Sequence, residues 1–332
     1  MLSYRLVARK TSKLLFVFWS IALVLTAGST AWAQVSTSSG MNYEKVALKK
    51  WYVANQIATF RIGSPFSLPF GIQFDGADVW VTNSHDNTVI KLRAADGATL
   101  GTFPTGNDPH NVAFDGANIW VNNLIDSTVS VVRAADGTAV ATFPVAPSPF
   151  GIVFDGAYIW VTSGTNNTVS KLRADTGAIA GTFAVGSTPY SLAFDGVNIW
   201  VTNSGANTVS KLRAADGAIL GTFAVGNSPI DVAFDGTNIW VANLGSDTVT
   251  KLRAADGSML GTFSVGHRPH GLVFDGANIW VACDGSNAII KLRVFDGANL
   301  GAFSVGSSPT GVAFDGANIW VTNLFDGTVS KL

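Results

Sequence analysis

Short runs of alternating apolar and polar residues, separated by turns rich in Gly, Asp and Asn, repeat along the chain from residue 58 onward. In the unit from Pro189 to Ser228, the runs "SLAF", "NIWVTN", "TVSKLRA" and "LGTFAVG" have the composition and two-residue period of strands. The turns between them, "DGVN", "SGAN" and "ADGA", carry residues that tight hairpins favour. The unit therefore predicts four short antiparallel strands.

This unit occurs seven times without insertion. A Phe-Asp-Gly triplet begins every 40 residues, at Phe74, Phe114, Phe154, Phe194, Phe234, Phe274 and Phe314. A tryptophan follows each triplet on the same period, at Trp80, Trp120, Trp160, Trp200, Trp240, Trp280 and Trp320. Four strands in about 40 residues are typical of a propeller blade. We predict an all-β fold, a seven-bladed β-propeller of four-stranded antiparallel blades over residues 57–332.

The ends of the repeat array predict how the ring closes. The seventh unit reaches Leu332 after its third strand, and the segment "ATFRIG" at 58–63 matches the fourth-strand pattern "GTFSVG". We expect this N-terminal strand to complete the last blade, which would leave no unpaired break in the ring.

The residues before the repeats have a different pattern. Four basic residues precede an apolar run over 14–27, and an A-x-A sequence ends at Ala33. Residues 1–33 are therefore predicted to be a signal peptide, since the run is shorter than a membrane span requires. We expect an exported protein, periplasmic or extracellular, with no membrane span after cleavage. Residues 34–56 form a separate N-terminal segment, whose pattern over 41–56 is compatible with a short helix that packs on the propeller or docks a partner.

Charge and cysteine content narrow the function. Removal of residues 1–33 takes away four of the 21 basic residues and leaves 17 against 22 acidic ones. This balance argues against nucleic acid as a partner, because duplex binding depends on Lys and Arg that neutralise phosphates. The single cysteine, Cys283, cannot form an intramolecular disulfide.

The tryptophan strands carry a family resemblance. The sequence "WVTN" occurs at Trp80, Trp200 and Trp320, with "WVNN", "WVTS", "WVAN" and "WVAC" in the other units. Over residues 58–332 the chain resembles the YVTN-type β-propeller repeat family, which is similar to the streptogramin-lyase-like and NHL-type propellers. The resemblance implies a fold, but propellers include enzymes, receptors and scaffolds. Streptogramin lyases use a histidine with a carboxylate and a metal; no residue-by-residue match to that motif exists here, so no catalytic residue is assigned.

Differences between the seven copies collect in two sets of loops. The loops before the first strand and between the second and third strands share one face, here called the variable face; the "FDGAN" and "RAADGA" turns share the opposite face. All four histidines lie on the variable face. The residue after each repeat proline is expected at the mouth of the central channel, and these residues are Phe70, His110, Phe150, Tyr190, Ile230, His270 and Thr310.

The opposite face is nearly constant and is expected to be structural. The turn aspartates, such as Asp195, are predicted to accept backbone N–H groups. Lys211, Arg213 and their equivalents are predicted to pair with the aspartate of the following turn, such as Asp216.

The stretch "GHRPHG" at 266–271 is the strongest candidate for a site, because it places two histidines beside an arginine. The candidate ligand-binding residues on the variable face are His267, Arg268, His270, His110, His85, Asp231, Asp284, Phe70, Phe150 and Tyr190. Three interpretations stay open for the stretch: exposed histidines without function, a metal site completed by aspartates, and an anion or substrate site. We predict no cofactor, with a bound metal ion as the less favoured alternative.

Three functions follow from these observations. The first is an exported binding protein, expected to be monomeric, that holds a protein or small-molecule ligand on the variable face. The second is a lyase or hydrolase with a His/Asp site on that face, and the third is a quinone- or metal-dependent dehydrogenase.

Overall fold

The computed structural model describes residues 57–332, so the predictions for the signal peptide and for residues 34–56 lie outside the described residues.

Branched and aromatic side chains at alternating positions form short strands, and Gly, Asp and Asn end them. The strands of the first half are β1 Ala58–Arg61, β2 Pro69–Phe74, β3 Asp78–Asn83, β4 Thr88–Arg93, β5 Thr99–Pro104, β6 Pro109–Phe114, β7 Asn118–Asn123, β8 Thr128–Arg133, β9 Ala139–Pro144, β10 Ile152–Phe154, β11 Tyr158–Ser163, β12 Thr168–Arg173 and β13 Ile179–Ala184. Those of the second half are β14 Pro189–Phe194, β15 Asn198–Asn203, β16 Thr208–Arg213, β17 Ile219–Ala224, β18 Pro229–Phe234, β19 Asn238–Asn243, β20 Thr248–Arg253, β21 Met259–Ser264, β22 Pro269–Phe274, β23 Asn278–Cys283, β24 Ala288–Arg293, β25 Asn299–Ser304, β26 Pro309–Phe314, β27 Ile319–Asn323 and β28 Thr328–Lys331, with one 3-10 turn at Asp284–Ser286.

These strands form seven antiparallel sheets; six have their strands in chain order, as in β2–β3–β4–β5, and the seventh has the order β26–β27–β28–β1. The first strands of neighbouring blades, such as β14 and β18, contact one another and line the centre of the ring. The predicted seven-bladed propeller is therefore confirmed.

The ring closes through β1. This strand pairs antiparallel with β28, from Ala58 opposite Lys331 to Arg61 opposite Thr328, as predicted. Ile62, the next residue, is only 1% exposed and packs in the core between the last blade and the first. The seventh blade thus takes strands from both ends of the repeat array.

The hydrophobic core lies between blades. Trp200 and Val209 of the fourth blade pack against Val232 and Ile239 of the fifth, and the other tryptophans occupy equivalent clusters. Each blade therefore depends on its neighbour for burial of its largest side chain, as expected of stacked repeats.

The face opposite the variable face, formed by the "FDGAN" and "RAADGA" turns and here called the constant face, combines two bonding patterns. Oδ1 of Asp195 accepts the N–H groups of Val197 and Asn198 at 2.9 and 2.6 Å, which confirms the predicted role of the turn aspartate. Its Oδ2 also accepts the indole N–H of Trp200 at 2.8 Å, and the same Asp–Trp bond recurs in all seven blades.

The prediction for the basic residues is correct for arginine and wrong for lysine. Arg213 pairs with Asp216 at 2.9 Å. Lys211, however, is only 7% exposed, and its Nζ donates to the carbonyl oxygens of Ala254 and Ala255 in the next blade. The ammonium also lies 5.0 Å from the ring centroid of Trp200. Lysine takes this position because its long side chain lies against the buried indole and ends at carbonyl groups that need donors.

Candidate functional site

The loops of the variable face share one backbone conformation. The residue before the repeat proline is left-handed in six blades, at Asp108, Ser148, Thr188, Ser228, Arg268 and Ser308. In five of these loops its N–H donates to an Asn or Asp side chain in a turn of the preceding blade, as Thr188 does to Asn167 at 2.9 Å. The loops are therefore fixed by one bonding pattern, and the blades differ there mainly in their side chains.

In six of the seven blades the innermost strand departs from regular pairing just after the repeat proline. In the fourth blade the register shifts between Pro189 and Leu192, and most other blades shift at the same place. Such irregularities redirect side chains. Gly71 shows how closely the blades approach here, because a Cβ at this position would lie 2.7 Å from the carbonyl oxygen of His110.

Five ring-bearing side chains meet across the mouth of the channel. The rings of Phe150 and Tyr190 stack with centroids 4.8 Å apart. The His110 ring lies 3.9 Å from Phe70, 5.4 Å from Phe150 and 5.7 Å from Tyr190. His270 lies 5.3 Å from Phe70 and 6.4 Å from Tyr190. His110 and His270 come from blades two and six, yet both contact the same two aromatic rings. We call these five residues the channel cluster.

His110 is held as a neutral imidazole. It is 6% exposed, and its burial lowers its pKa to about 3. Nδ1 lies 3.0 Å from the carbonyl oxygen of Phe150, which only accepts hydrogen bonds, so Nδ1 carries the proton. Nε2 is then the acceptor for the Tyr190 hydroxyl at 3.3 Å. Burial also raises the pKa of Tyr190, so the phenol keeps its proton and donates it.

Asp231 is the carboxylate of the channel. It directly follows the register shift in the fifth blade's inner strand. Its carboxylate accepts hydrogen bonds from the hydroxyl of Ser191 at 2.6 Å and from the N–H of Leu272 at 2.7 Å. These bonds join blades four, five and six. Loss of hydration raises the pKa of Asp231 to about 6, against hydrogen bonds that favour its ionised form.

The stretch "GHRPHG" does not form one site. His267 is exposed, and its Nδ1 lies 3.1 Å from both carboxylate oxygens of Asp247. Arg268, left-handed at φ 56°, pairs with Asp284 at 3.2 Å. His270, the second residue of β22, belongs to the channel cluster, where burial lowers its pKa to about 4. The turn at Arg268 therefore separates two histidines that are three residues apart.

His85 stands apart from both groups. It is exposed in the turn between β3 and β4, and its ring lies edge-on to Phe66 with centroids 6.3 Å apart. The ten predicted residues therefore fall into four groups. Five rings meet at the channel mouth, and Asp231 lies beside them. Arg268 pairs with Asp284, while His267 and His85 lie on the outer loops.

Sequence reasoning missed Ser191 as a partner of Asp231. The available signal was the second residue after the repeat proline, which is Gly in four blades but Asn111, Ser191 and Asp231 in the other three. A polar side chain where close backbone approach favours Gly indicates a specific contact between blades.

Over residues 57–332, no group of three or more His, Cys, Asp or Glu side chains converges in a geometry suited to a metal ion. No helix in the same range is long and apolar enough to cross a membrane.

The chain is a seven-bladed β-propeller whose last blade combines strands from both ends of the repeat array. It is similar to a streptogramin B lyase, with a TM-score of 0.72 and 19% identity over 83% of this chain and 96% of the other. It is similar to the virginiamycin B lyase from Staphylococcus aureus, with a TM-score of 0.72 and 19% identity over 83% of this chain and 98% of the other. It is also similar to a chain of hydrazine synthase from Kuenenia stuttgartiensis, with a TM-score of 0.71 and 18% identity over 82% of this chain and 97% of the other. At these identities the likeness concerns the fold alone. No family model and no curated protein sequence matches the chain, so assignment to the YVTN-type family stays a prediction.

Proposed function

We propose that this chain is an exported β-propeller binding protein whose ligand docks on the variable face around the channel mouth. One observation carries the proposal: seven blades share a backbone, a core and a constant face, while their side-chain differences collect on the other face. A rigid scaffold with one variable loop face is a common arrangement for recognition.

The channel cluster indicates how a ligand would approach. Its rings already pack against one another, so a ligand is expected to cover the mouth rather than enter the channel. Phe70, Phe150, Tyr190 and His270 keep part of their surface exposed. Aromatic rings fixed by packing offer contact area at low entropic cost, which suits protein surfaces and planar small molecules.

Site-specific photocross-linking tests the proposal. A photoreactive residue is placed at Ile125, Thr165 or Gly245 on the variable face, or at Val197 or Phe295 on the constant face, and the chain is expressed in its source cells. We expect a defined cross-linked product from at least one variable-face position and from neither constant-face position. Cross-links confined to the constant face, or none at any position, would contradict the proposal.

Export is tested separately. We expect mass spectrometry of the chain recovered outside the cytoplasm to give Gln34 as its first residue. An intact N-terminus on a chain retained in the cytoplasm would contradict the export part of the proposal and leave the binding part standing.

A lyase or hydrolase is the second candidate, because a carboxyl with a pKa near 6 lies on the face that also carries neutral imidazoles. Groups that titrate near neutrality suit acid–base chemistry. Since the similar structures include a streptogramin B lyase, the test is incubation of the purified chain with a streptogramin B compound, followed by chromatography. Consumption that is lost in Asp231→Asn and kept in Asp247→Asn would favour the enzyme.

A further inference from the structure

We infer that the part of the variable face over blades seven, one and two is a docking surface for a cationic polypeptide segment with apolar side chains. This inference rests on the proposed function and specifies which part of the face binds and what it recognises. We call this surface the acidic-apolar lobe; it comprises Phe66, His85, Ile125 and Phe325 with the carboxylates Asp86, Asp108, Asp126 and Asp326.

The apolar part of the lobe is unusually exposed. Phe66, Ile125 and Phe325 are 74, 71 and 72% exposed, and they are the large hydrophobic side chains that are exposed in the variable-face loops of residues 57–332. The second residue of the turn between strands two and three is His85, Ile125 and Phe325 in these three blades, but Thr165, Gly205, Gly245 and Gly285 in the others. Exposed apolar groups concentrated on adjacent blades indicate an interaction site, whereas single scattered ones do not.

The lobe is continuous across the ring closure. The N–H of Ile62 donates to the carbonyl oxygen of Gly327 at 3.1 Å, which fixes the Phe325 turn beside the loop that carries Phe66. Phe66 in turn contacts His85. The loop at Asp108 connects the first blade to the second, because its N–H donates to Asn87 and its carbonyl accepts the N–H of Leu124.

Aspartates hold the apolar tips in place. Asp86 accepts the N–H of Ser64 at 2.9 Å, Asp126 accepts that of Asn107 at 2.7 Å, and Asp326 accepts that of Ser307. The equivalent turn position is Asn166, Ala206, Ser246 and Ser286 in the remaining blades. The three lobe turns are therefore preorganised by a carboxylate, which reduces the entropy lost on binding.

Charge defines the partner. The variable-face loops contain six aspartates, and four of them belong to the lobe. The other two are already paired, Asp247 with His267 and Asp284 with Arg268. The lobe loops contain no Lys or Arg, and none of the four lobe aspartates is in an ion pair within residues 57–332. Hydrogen bonds from Ser64, Ser67 and Asn83 lower the pKa of Asp86 to about 2, and bonds from Asn107 lower that of Asp126, so both are ionised at neutral pH.

Exposed apolar tips among unpaired carboxylates are complementary to a segment that combines Lys or Arg with apolar residues. A second copy of the propeller is a poorer match, because lobe against lobe would bring like charges together. The constant face also offers no free basic patch, since Arg93, Arg133, Arg173, Arg213, Arg253 and Arg293 are each paired with an aspartate.

The test uses three dye-labelled synthetic 12-residue peptides of alternating composition: Lys/Leu, Glu/Leu and Lys/Ser. Binding to the chain from Gln34 is measured by fluorescence anisotropy. We expect the Lys/Leu peptide to bind at least about tenfold more tightly than either control, and its affinity to fall as salt rises. Equal binding of the Glu/Leu peptide, or no binding of the Lys/Leu peptide, would overturn the inference.

Two matched pairs of variants locate the binding. Phe66→Ser/Phe325→Ser is expected to weaken Lys/Leu binding by about tenfold, whereas Val197→Ser/Phe295→Ser, which removes exposed apolar groups from the constant face, is expected to leave it unchanged. Asp126→Asn/Asp326→Asn should weaken binding and Asp247→Asn/Asp284→Asn should not. Melting temperatures within a few degrees of the parent establish that the variants are folded.

The opposite result in either pair would overturn the lobe as the site. Cross-links from Thr165 or Gly245 together with failed peptide binding would overturn this inference and leave the proposed function standing. Absence of any cross-link from the variable face would instead count against the proposed function itself.

Discussion

The indole Nε1 of Trp200 lies 2.8 Å from the carboxylate of Asp195, and this bond joins a surface turn of the blade to its largest fully buried side chain. Because the same carboxylate also accepts two backbone N–H groups and the side-chain amide of Asn198, Asp195→Ala would leave four donors without this partner. We expect the free energy of unfolding to fall by about 1–3 kcal/mol, measured by chemical denaturation followed by tryptophan fluorescence.

Asp216→Ala is the control for that variant. Its carboxylate is about half exposed and pairs with Arg213 at the surface, so its loss is expected to cost less than about 1 kcal/mol. Equal losses for the two variants would show that the Asp–Trp bond contributes nothing beyond an ordinary turn contact.

Lys211 is expected to stabilise the junction between blades four and five. Lys211→Met keeps most of the apolar stem but leaves the carbonyl groups of Ala254 and Ala255 without this donor, and we expect a loss of about 1–3 kcal/mol. Arg213→Met, which breaks an exposed pair in the same strand, should change stability by less than about 1 kcal/mol. The two losses are compared in one denaturation series, and a larger loss for Arg213→Met would contradict the contacts seen for lysine.

The closing strand should have a larger effect than any single side chain. Deletion of residues 57–63 removes the partner of β28 and the buried Ile62. We expect a large fall in melting temperature, with a loss of stability greater than the about 2–5 kcal/mol of Ile62→Ala. Deletion of residues 34–56 alone leaves β1 in place and serves as the control. A chain without 57–63 that melts like this control would contradict closure by β1.

The raised pKa of Asp231 makes stability depend on pH. Its folded-state pKa of about 6 lies above the ordinary value of 3.8, so the folded chain keeps a proton that the unfolded chain releases. This contribution is complete below about pH 4 and is lost as the pH rises through 6. Asp231→Asn, which does not ionise, is therefore expected to gain stability relative to the parent as the pH rises from 4 to 8.

Calorimetry at the two pH values measures this difference. Asp247→Asn is the control, because hydrogen bonds lower the pKa of Asp247 instead. A difference in melting temperature between the parent and Asp231→Asn that is the same at both pH values would contradict the raised pKa.

The candidate site was only partly predictable. The repeat proline placed Phe70, His110, Phe150, Tyr190 and His270 at the channel because equivalent positions of a propeller face the same axis. Their mutual contacts did not follow from this, since the width of the mouth depends on how closely the blades pack. The pairing of His267 with Asp247 depends on a left-handed residue at 268, which the local sequence does not specify.

The sequence alone determined the number of blades, their strands and the closing strand, because an exact 40-residue period with a two-residue alternation in each run allows few other folds. Contacts between blades were decided only in the tertiary structure. Lys211 reaches a carbonyl 43 residues away, Asp231 joins three blades, and the acidic-apolar lobe forms where the two ends of the array meet. Such contacts depend on the distance and angle between neighbouring sheets, which no pattern within a single repeat encodes.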